Sequence, residues 1–328
     1  MPGGGKPEPY GIFDTRKRVE MIALISLIAA LALEQWRPLS IRHHVFGPFA
    51  RYADFLERQF NAGESQHGVI GWIAAVAPAV IGSWLIYALL AWVSHGLALL
   101  FNVAVLYLMM GFRQFSHHFT DINLALKQDD LVRARELLTR WRGHPCDHLD
   151  REEIVRLTIE EALVASHHHV FAVVVWFVIL PGPSGAVLYR LSAYLRRRWG
   201  EAGTPELATF GSFAARAFSV LEWLPVRMTA AAFAIVGDFE DAIYCWRTQA
   251  SRWPDPAIGI VLASGAGALG VRLGNPYVRD GDVVERPEIG AGDEADVGFL
   301  DSTVGLVWRA LVLWLVLLIL LGGASAVR

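Results

Sequence analysis

Charge and cysteine are what this sequence has little of. Only 19% of its 328 residues are Asp, Glu, Lys or Arg, while 54% are hydrophobic. A soluble domain carries about 25% charged residues. With a mean hydropathy of +0.37, the chain has more apolar surface than one aqueous core absorbs, and lipid is the second solvent it implies. The two cysteines, Cys146 and Cys245, match no paired spacing, which excludes a disulfide framework or a cysteine zinc site. No basic tract is long enough for nucleic acid, and the formal net charge is −3. No G-x-x-x-x-G-K-[ST], G-x-S-x-G or H-E-x-x-H occurs, so the P-loop, nucleophile-elbow and zincin signatures are missing. The "GAGALG" run from Gly265 to Gly270 has no strand before it and reads as a packing surface, not a dinucleotide loop.

What is present is a series of apolar runs, at about 21–33, 69–93, 94–112, 170–195, 210–236, 257–271 and 304–321. They predict an all-α, polytopic integral membrane protein with amphipathic cytoplasmic or interfacial helices between the spans. Residues 1–20 read as an extension or disordered start, and 21–328 as a single membrane domain. From Val69 to Phe112 the chain has 44 residues without one charged side chain. That length suits a two-helix hairpin turning near Ser94-His95-Gly96. A hairpin returns the chain to the side it left, so 34–68 and 113–169 share a side. Their many arginines make it cytoplasmic, in a bacterial-type inner membrane. Arg16-Lys17-Arg18 draws the N-terminus to that side too, which conflicts with a spanning first helix.

Two groups of residues hold candidate chemistry. Histidines cluster at His43-His44, His117-His118 and His167-His168-His169. Imidazole is a common metal ligand, but neighbours on an α-helix point about 100° apart. At most one histidine per cluster is then expected to converge on an ion. His117, His118, His167, His168 and His169 read as an interfacial belt with no metal assigned, the alternative being a metal or proton site. "HPCDH", from His144 to His148, lacks a second ligand pair and reads as a polar turn. Arg216, Glu222 and Arg227 lie inside an apolar run, where charge is costly. Arg216 and Arg227 are eleven residues apart and so share a helical face, suited to a phosphate or carboxylate.

Several motifs in order resemble the CobD/CbiB family of cobalamin biosynthesis and the related AmpE proteins. "DLVRARELLTRWRGHPCDHLDREEIVRLTIEEAL" looks like the segment leading to that family's Glu-rich helix, with Glu160 in register. "PGPSGAVLYR" is similar to its Gly/Pro stretch before Tyr189-Arg190. "AARAFSVLEWLPVR" keeps Arg216, Pro225 and Arg227, and "GAGALGVRLGNPY" with "ERPEIG" resembles two further elements. The resemblance implies a membrane domain, and for the synthases amide formation between adenosylcobyric acid and an aminopropanol phosphate. It also implies a surviving anionic-ligand pocket of Glu160, Tyr189, Arg190, Arg216 and Arg227, taking a corrinoid or phosphorylated small molecule, in a chain open to homo-oligomerisation. Mg²⁺ and ATP follow only if the synthase activity is kept; otherwise the cofactor is unknown.

Departures fall where the synthases carry acids and amides. Val164-Ala165 and His167-His168-His169 replace Glu-Asn and a Ser/Val-Asp-Gly run. Ala193-Tyr194-Leu195-Arg196 replaces Asn-Thr-Leu-Asp. Phe218-Ser219 replaces Asp-Asp, and Glu222 stands for Asn. The expectation from these losses is a divergent, non-synthase member with an accessory, sensory or regulatory role. The alternative is a synthase-type enzyme with a rebuilt site.

Overall fold

The computed structural model describes residues 10–36, 42–61, 65–201, 205–279 and 282–327, with side chains over 21–36, 46–61, 66–111, 116–201, 209–277 and 283–320. The architecture is helical, as the apolar runs predict. Four helical segments are long and apolar enough to cross a membrane: Gln66–Val93, Arg151–Ile179, Thr209–Val236 and Val297–Leu320. In chain order, α1 is Tyr10–Trp36, α2 Arg42–Phe60, α3 Ser65–Val93 and α4 His95–Met109. Then follow α5 Phe112–Lys127, α6 Leu131–Arg142 and α7 Arg151–Ser166. The hairpin expected around Ser94 is there, with Ser94 as the N-cap of α4 accepting from the Gly96 amide. At 15 residues α4 is about 22 Å long, short of a full crossing.

The run expected at 170–195 is continuous with the helix before it. α7 does not end outside the membrane but passes through a π-helical turn, His167–Phe171, into α8, Ala172–Ile179. The result is one rod from Arg151 to Ile179. It starts on a capping box in which Asp150 and Glu153 each accept the other's amide, the signal visible in the sequence. Two-thirds of its most apolar window is buried, against 17% for the Gln66–Val93 span. The rod is therefore the bundle's central post, whereas α3 turns Trp84, Leu85 and Trp92 outward, as a lipid-facing helix does.

Pro181-Gly182-Pro183 then reverses the chain into α9, Ser184–Leu195. Gly182 has φ +63° and lies against the Tyr87 ring of α3. A Cβ on Gly185 would sit 1.8 Å from the Trp176 carbonyl oxygen. Only glycine permits this contact between α8 and α9. A second π-helical turn, Arg196–Gly200, ends α9.

α10, Pro205–Val236, packs on α3, on the second π turn and on α12, Pro256–Leu269. The glycine-rich run inside α12 serves packing, as expected. Ser264 Oγ donates to the Ala230 carbonyl of α10, and Gly267 rests against the Asp241 backbone in α11, Phe239–Gln249. The polar segment before the last helix folds as nested antiparallel ribbons. β1, Arg272–Leu273, pairs with β4, Ile289–Gly290, around β2, Tyr277–Arg279, and β3, Asp282–Val284. α13, Val297–Val327, closes the chain. Both cysteines are buried, and burial pushes both thiols up.

Two outcomes follow. Maleimide at pH 7 should leave Cys146 and Cys245 unlabelled in the detergent-solubilised protein and modify both after denaturation, as read by intact mass. Gly185→Ala should cost about 1–3 kcal/mol or more through forced overlap. Gly82→Ala, where a Cβ meets open space, should be neutral or gain up to about 1 kcal/mol. Thermal unfolding in detergent compares the two.

Candidate functional site

The centre of the site is Glu222 on α10. Its carboxylate is 1% exposed in the middle of an apolar helix, and α10 turns it away from Arg216 and Arg227. Eleven residues leave the two arginines about 20° apart, and Glu222 falls well off that face at about 100° per residue. A charge so placed must find partners, and three other segments supply them.

The π turn supplies His167, whose Nε2 lies 3.1 Å from Glu222 Oε1, and His168, whose Nε2 lies 2.9 Å from the same oxygen. α9 supplies Tyr189, whose hydroxyl donates to Oε1 at 2.9 Å. The second π turn supplies Arg196, seven residues on, whose Nη1 approaches Oε2 at 3.4 Å. Arg196 Nη2 also donates to Asp255 Oδ2 at 2.5 Å, and Asp255 caps α12 through the Ala257 and Ile258 amides. Arg196 lies beyond the long spans. Burial works against its charge, but the hydrogen bond and field of Asp255, with the fields of Glu222 and Glu201, outweigh it and raise the guanidinium pKa. Behind the histidines, His167 Nδ1 is 2.9 Å from Thr229 Oγ1. Val164, Val226, Ala257, Ile258 and Val261 wall the remaining gap, which has no room for a water.

The interfacial-belt reading of the triple histidine is corrected by this geometry. His167 is buried near the middle of the central rod. The limit of one converging histidine per cluster also fails, because it assumes α-helical spacing. Here the Ala172 amide bonds to the His167 carbonyl, an i→i+5 step. The wider turn brings the His167 and His168 ring centroids to 5.1 Å. His169 faces elsewhere, with Nδ1 3.0 Å from Arg190 Nη1. His117 is exposed and His118 stacks on Trp141. His43 and His44 lie outside the described side chains. "HPCDH" is a turn around buried Cys146, as expected.

The proposed five-residue pocket does not assemble as one site. Tyr189 belongs to the Glu222 cluster and Arg190 stands beside it. Arg216 and Arg227 share one outward face, hydrogen-bonded to the Ser212 and Trp223 carbonyls one turn back. Arg227 also lies over the Trp223 ring at 4.2 Å. Glu160 forms a second cluster on the same stripe of α7 as His167, seven residues and about 10 Å earlier. Its Oε1 accepts the Gly274 amide at 2.9 Å and its Oε2 accepts Arg286 at 2.5 Å. Arg286 sits over Tyr277 at 4.5 Å and Trp253 at 5.3 Å. Arg142 holds both Glu161 and the Tyr277 hydroxyl. Burial works against the Arg142 charge, but Glu161 and Tyr277 raise its pKa beyond the ordinary arginine value.

Arg196, Thr229, Asp255 and Arg286 went unselected in the sequence reading. Arg196 entered the sequence reading as a departure from the resembled family and Arg286 within "ERPEIG", and only tertiary pairing distinguishes either from a surface arginine. Glu222 carried a legible signal, a carboxylate inside an apolar run.

Mg²⁺ prefers an octahedron of oxygens, several of them water. Here Glu160, Glu222 and Asp255 are each engaged by nitrogen donors, so these residues do not fit that ion.

The fold defines a multi-pass membrane protein with a buried charge cluster inside its helical bundle. The chain belongs to the CobD/Cbib family, whose model matches residues 25–307. It is similar to cobalamin biosynthesis protein CobD of Stutzerimonas stutzeri, 36% identical over 92% of this chain and 99% of the relative. The same-named protein of Chromobacterium violaceum is 39% identical over 70% of this chain and 73% of the relative. No solved structure matches the chain.

Removing Glu222 should take the shared acceptor from His167, Tyr189 and Arg196. Glu222→Ala should lose about 3–5 kcal/mol, whereas Arg216→Ala and Arg227→Ala should each stay within about 1 kcal/mol. Unfolding midpoints in one detergent provide the comparison.

Proposed function

We propose that this protein acts in cobalamin biosynthesis in the inner membrane, handling an anionic intermediate, a corrinoid or a phosphorylated small molecule, at the Glu222 cluster. The observation that carries this reading is a near full-length likeness to proteins named for cobalamin biosynthesis, coupled to one buried carboxylate served by three separate segments. Arg190 and Arg196 would supply positive charge for the anion, and the imidazoles a proton acceptor. The arginines of 34–68 and of the polar stretch before α7 support a cytoplasmic assignment for that side.

A second, finer reading is favoured by one observation. The acids that the resembled synthases keep for a metal are replaced here, and Glu160, Glu222 and Asp255 each face nitrogen donors. That supports an accessory, sensory or regulatory part in the pathway over amide synthesis itself. The likeness to relatives supports the pathway and not this finer assignment.

Deleting the gene in its host should abolish growth on medium that demands de novo corrinoid synthesis, with growth restored by added cobalamin. Unimpaired growth of the deletion strain would sink the pathway reading. Expression in a strain lacking its cobinamide-phosphate synthase separates the finer readings. Rescue of that strain identifies a synthase with a rebuilt site. Failure by a well-expressed protein, alongside auxotrophy of the deletion, supports the accessory part.

A further inference from the structure

We propose that His167, His168 and Glu222 form a binding site for a borderline divalent metal ion of the Zn²⁺ class. The inference deepens the reading of the Glu222 cluster as a ligand site, but does not depend on the pathway.

Distances come first. His167 Nε2 and His168 Nε2 lie 3.1 and 2.9 Å from Glu222 Oε1, and the three ligand atoms all fall within 4.8 Å of one another. Zn–N and Zn–O bonds of about 2.0–2.1 Å put tetrahedral ligands roughly 3.3–3.4 Å apart. Opening the cluster by a few tenths of an ångström would admit the ion. No other such group of His, Cys, Asp or Glu exists among the described residues.

The His168 contact points the same way. Its Nε2 is 2.9 Å from the carboxylate oxygen yet is buried without a hydrogen bond of acceptable geometry. A nitrogen held that close but misdirected is poorly served by the carboxylate alone. An ion between the two would satisfy both. Two neutral imidazoles with one carboxylate are a donor set for zinc-like ions.

The surroundings resemble an outer ligand shell. Thr229 Oγ1 holds the far nitrogen of His167 at 2.9 Å, and Arg196 reaches the second oxygen of Glu222. Such partners orient metal ligands. The walls are otherwise apolar, which strengthens ion binding at short range. Tyr189 Oη also borders the ligand atoms, 2.9 Å from Oε1. The π turn has its place in this account: an α-helix would splay the two histidines, and π turns recur at functional sites.

The test uses full-length protein in detergent, purified without a polyhistidine tag, stripped with chelator, then equilibrated with Zn²⁺ or Co²⁺ and desalted. The expected result is one Zn²⁺ per chain by elemental analysis, and visible d–d absorption from stoichiometric bound Co²⁺. His167→Ala, His168→Ala and Glu222→Gln should each drop below one-tenth of an ion per chain. Thr229→Ala should keep the ion but weaken binding about 10–100-fold. The His117→Ala/His118→Ala double variant should remain at one ion. Each site variant must elute as a single species, which separates loss of the ion from loss of the fold. The Co²⁺ spectrum of the wild type stands as an independent readout. No stoichiometric ion in the wild type, an ion retained in His168→Ala, or loss in the His117/His118 variant instead would overturn the proposal. Metal binding with no cobalamin phenotype would leave the site standing and remove only the pathway role.

Discussion

A carboxylate buried in an apolar bundle has to be neutralised where it stands, and Glu222 imposes that requirement on most of the helices around it. α10 carries it inward, and the central rod meets it with two histidines. α9 adds a tyrosine hydroxyl, and the turn after α9 adds an arginine. That arginine is shared with Asp255, the cap of α12, so the glycine-rich helix is tied to the same charge. Each partner leaves a cost if removed alone, because the rest of the network remains buried. The cluster thereby fixes how four segments sit around one point.

Glu160 does for the polar ribbons what Glu222 does for the helices. One carboxylate accepts the Gly274 amide and Arg286, and the guanidinium also reaches the Gly274 and Asn275 carbonyls. Its planar fork lies over Tyr277 and beside Trp253, so the ribbon is anchored through π contacts as well as charge. Lysine, a point charge, could not make this set of bonds. The two carboxylate clusters share one stripe of the central rod about two turns apart. The ribbon layer and the buried histidine site are consequently held in a set relation by a single helix.

The family resemblance implies acid and amide groups in place of His167 and His168, and an asparagine in place of Glu222. In this chain the three residues contact one another. The cluster they form is polar, buried and interconnected.

Much of the architecture was legible in the residues. Hydrophobic runs marked the helices, Ser94 the hairpin turn, Asp150 with Glu153 a helix start, and small residues the tight packing of α12. Each of these follows from local spacing or backbone propensity, which sequence carries directly. Less legible was the long rod. Its polar first half reads as an external helix, yet it is buried because its partners are other protein helices and not lipid. The histidine pair is illegible for a related reason: α-helical angles separate neighbouring side chains, and the π turn changes those angles. Arg216 and Arg227 share a face as their spacing requires, but spacing does not say whether that face looks inward. By itself, the sequence determined a helical membrane protein with costly charges in its apolar runs, because composition and periodicity act residue by residue. Which of those charges meet was decided by tertiary structure alone, because convergence depends on how separate helices rotate and pack against one another.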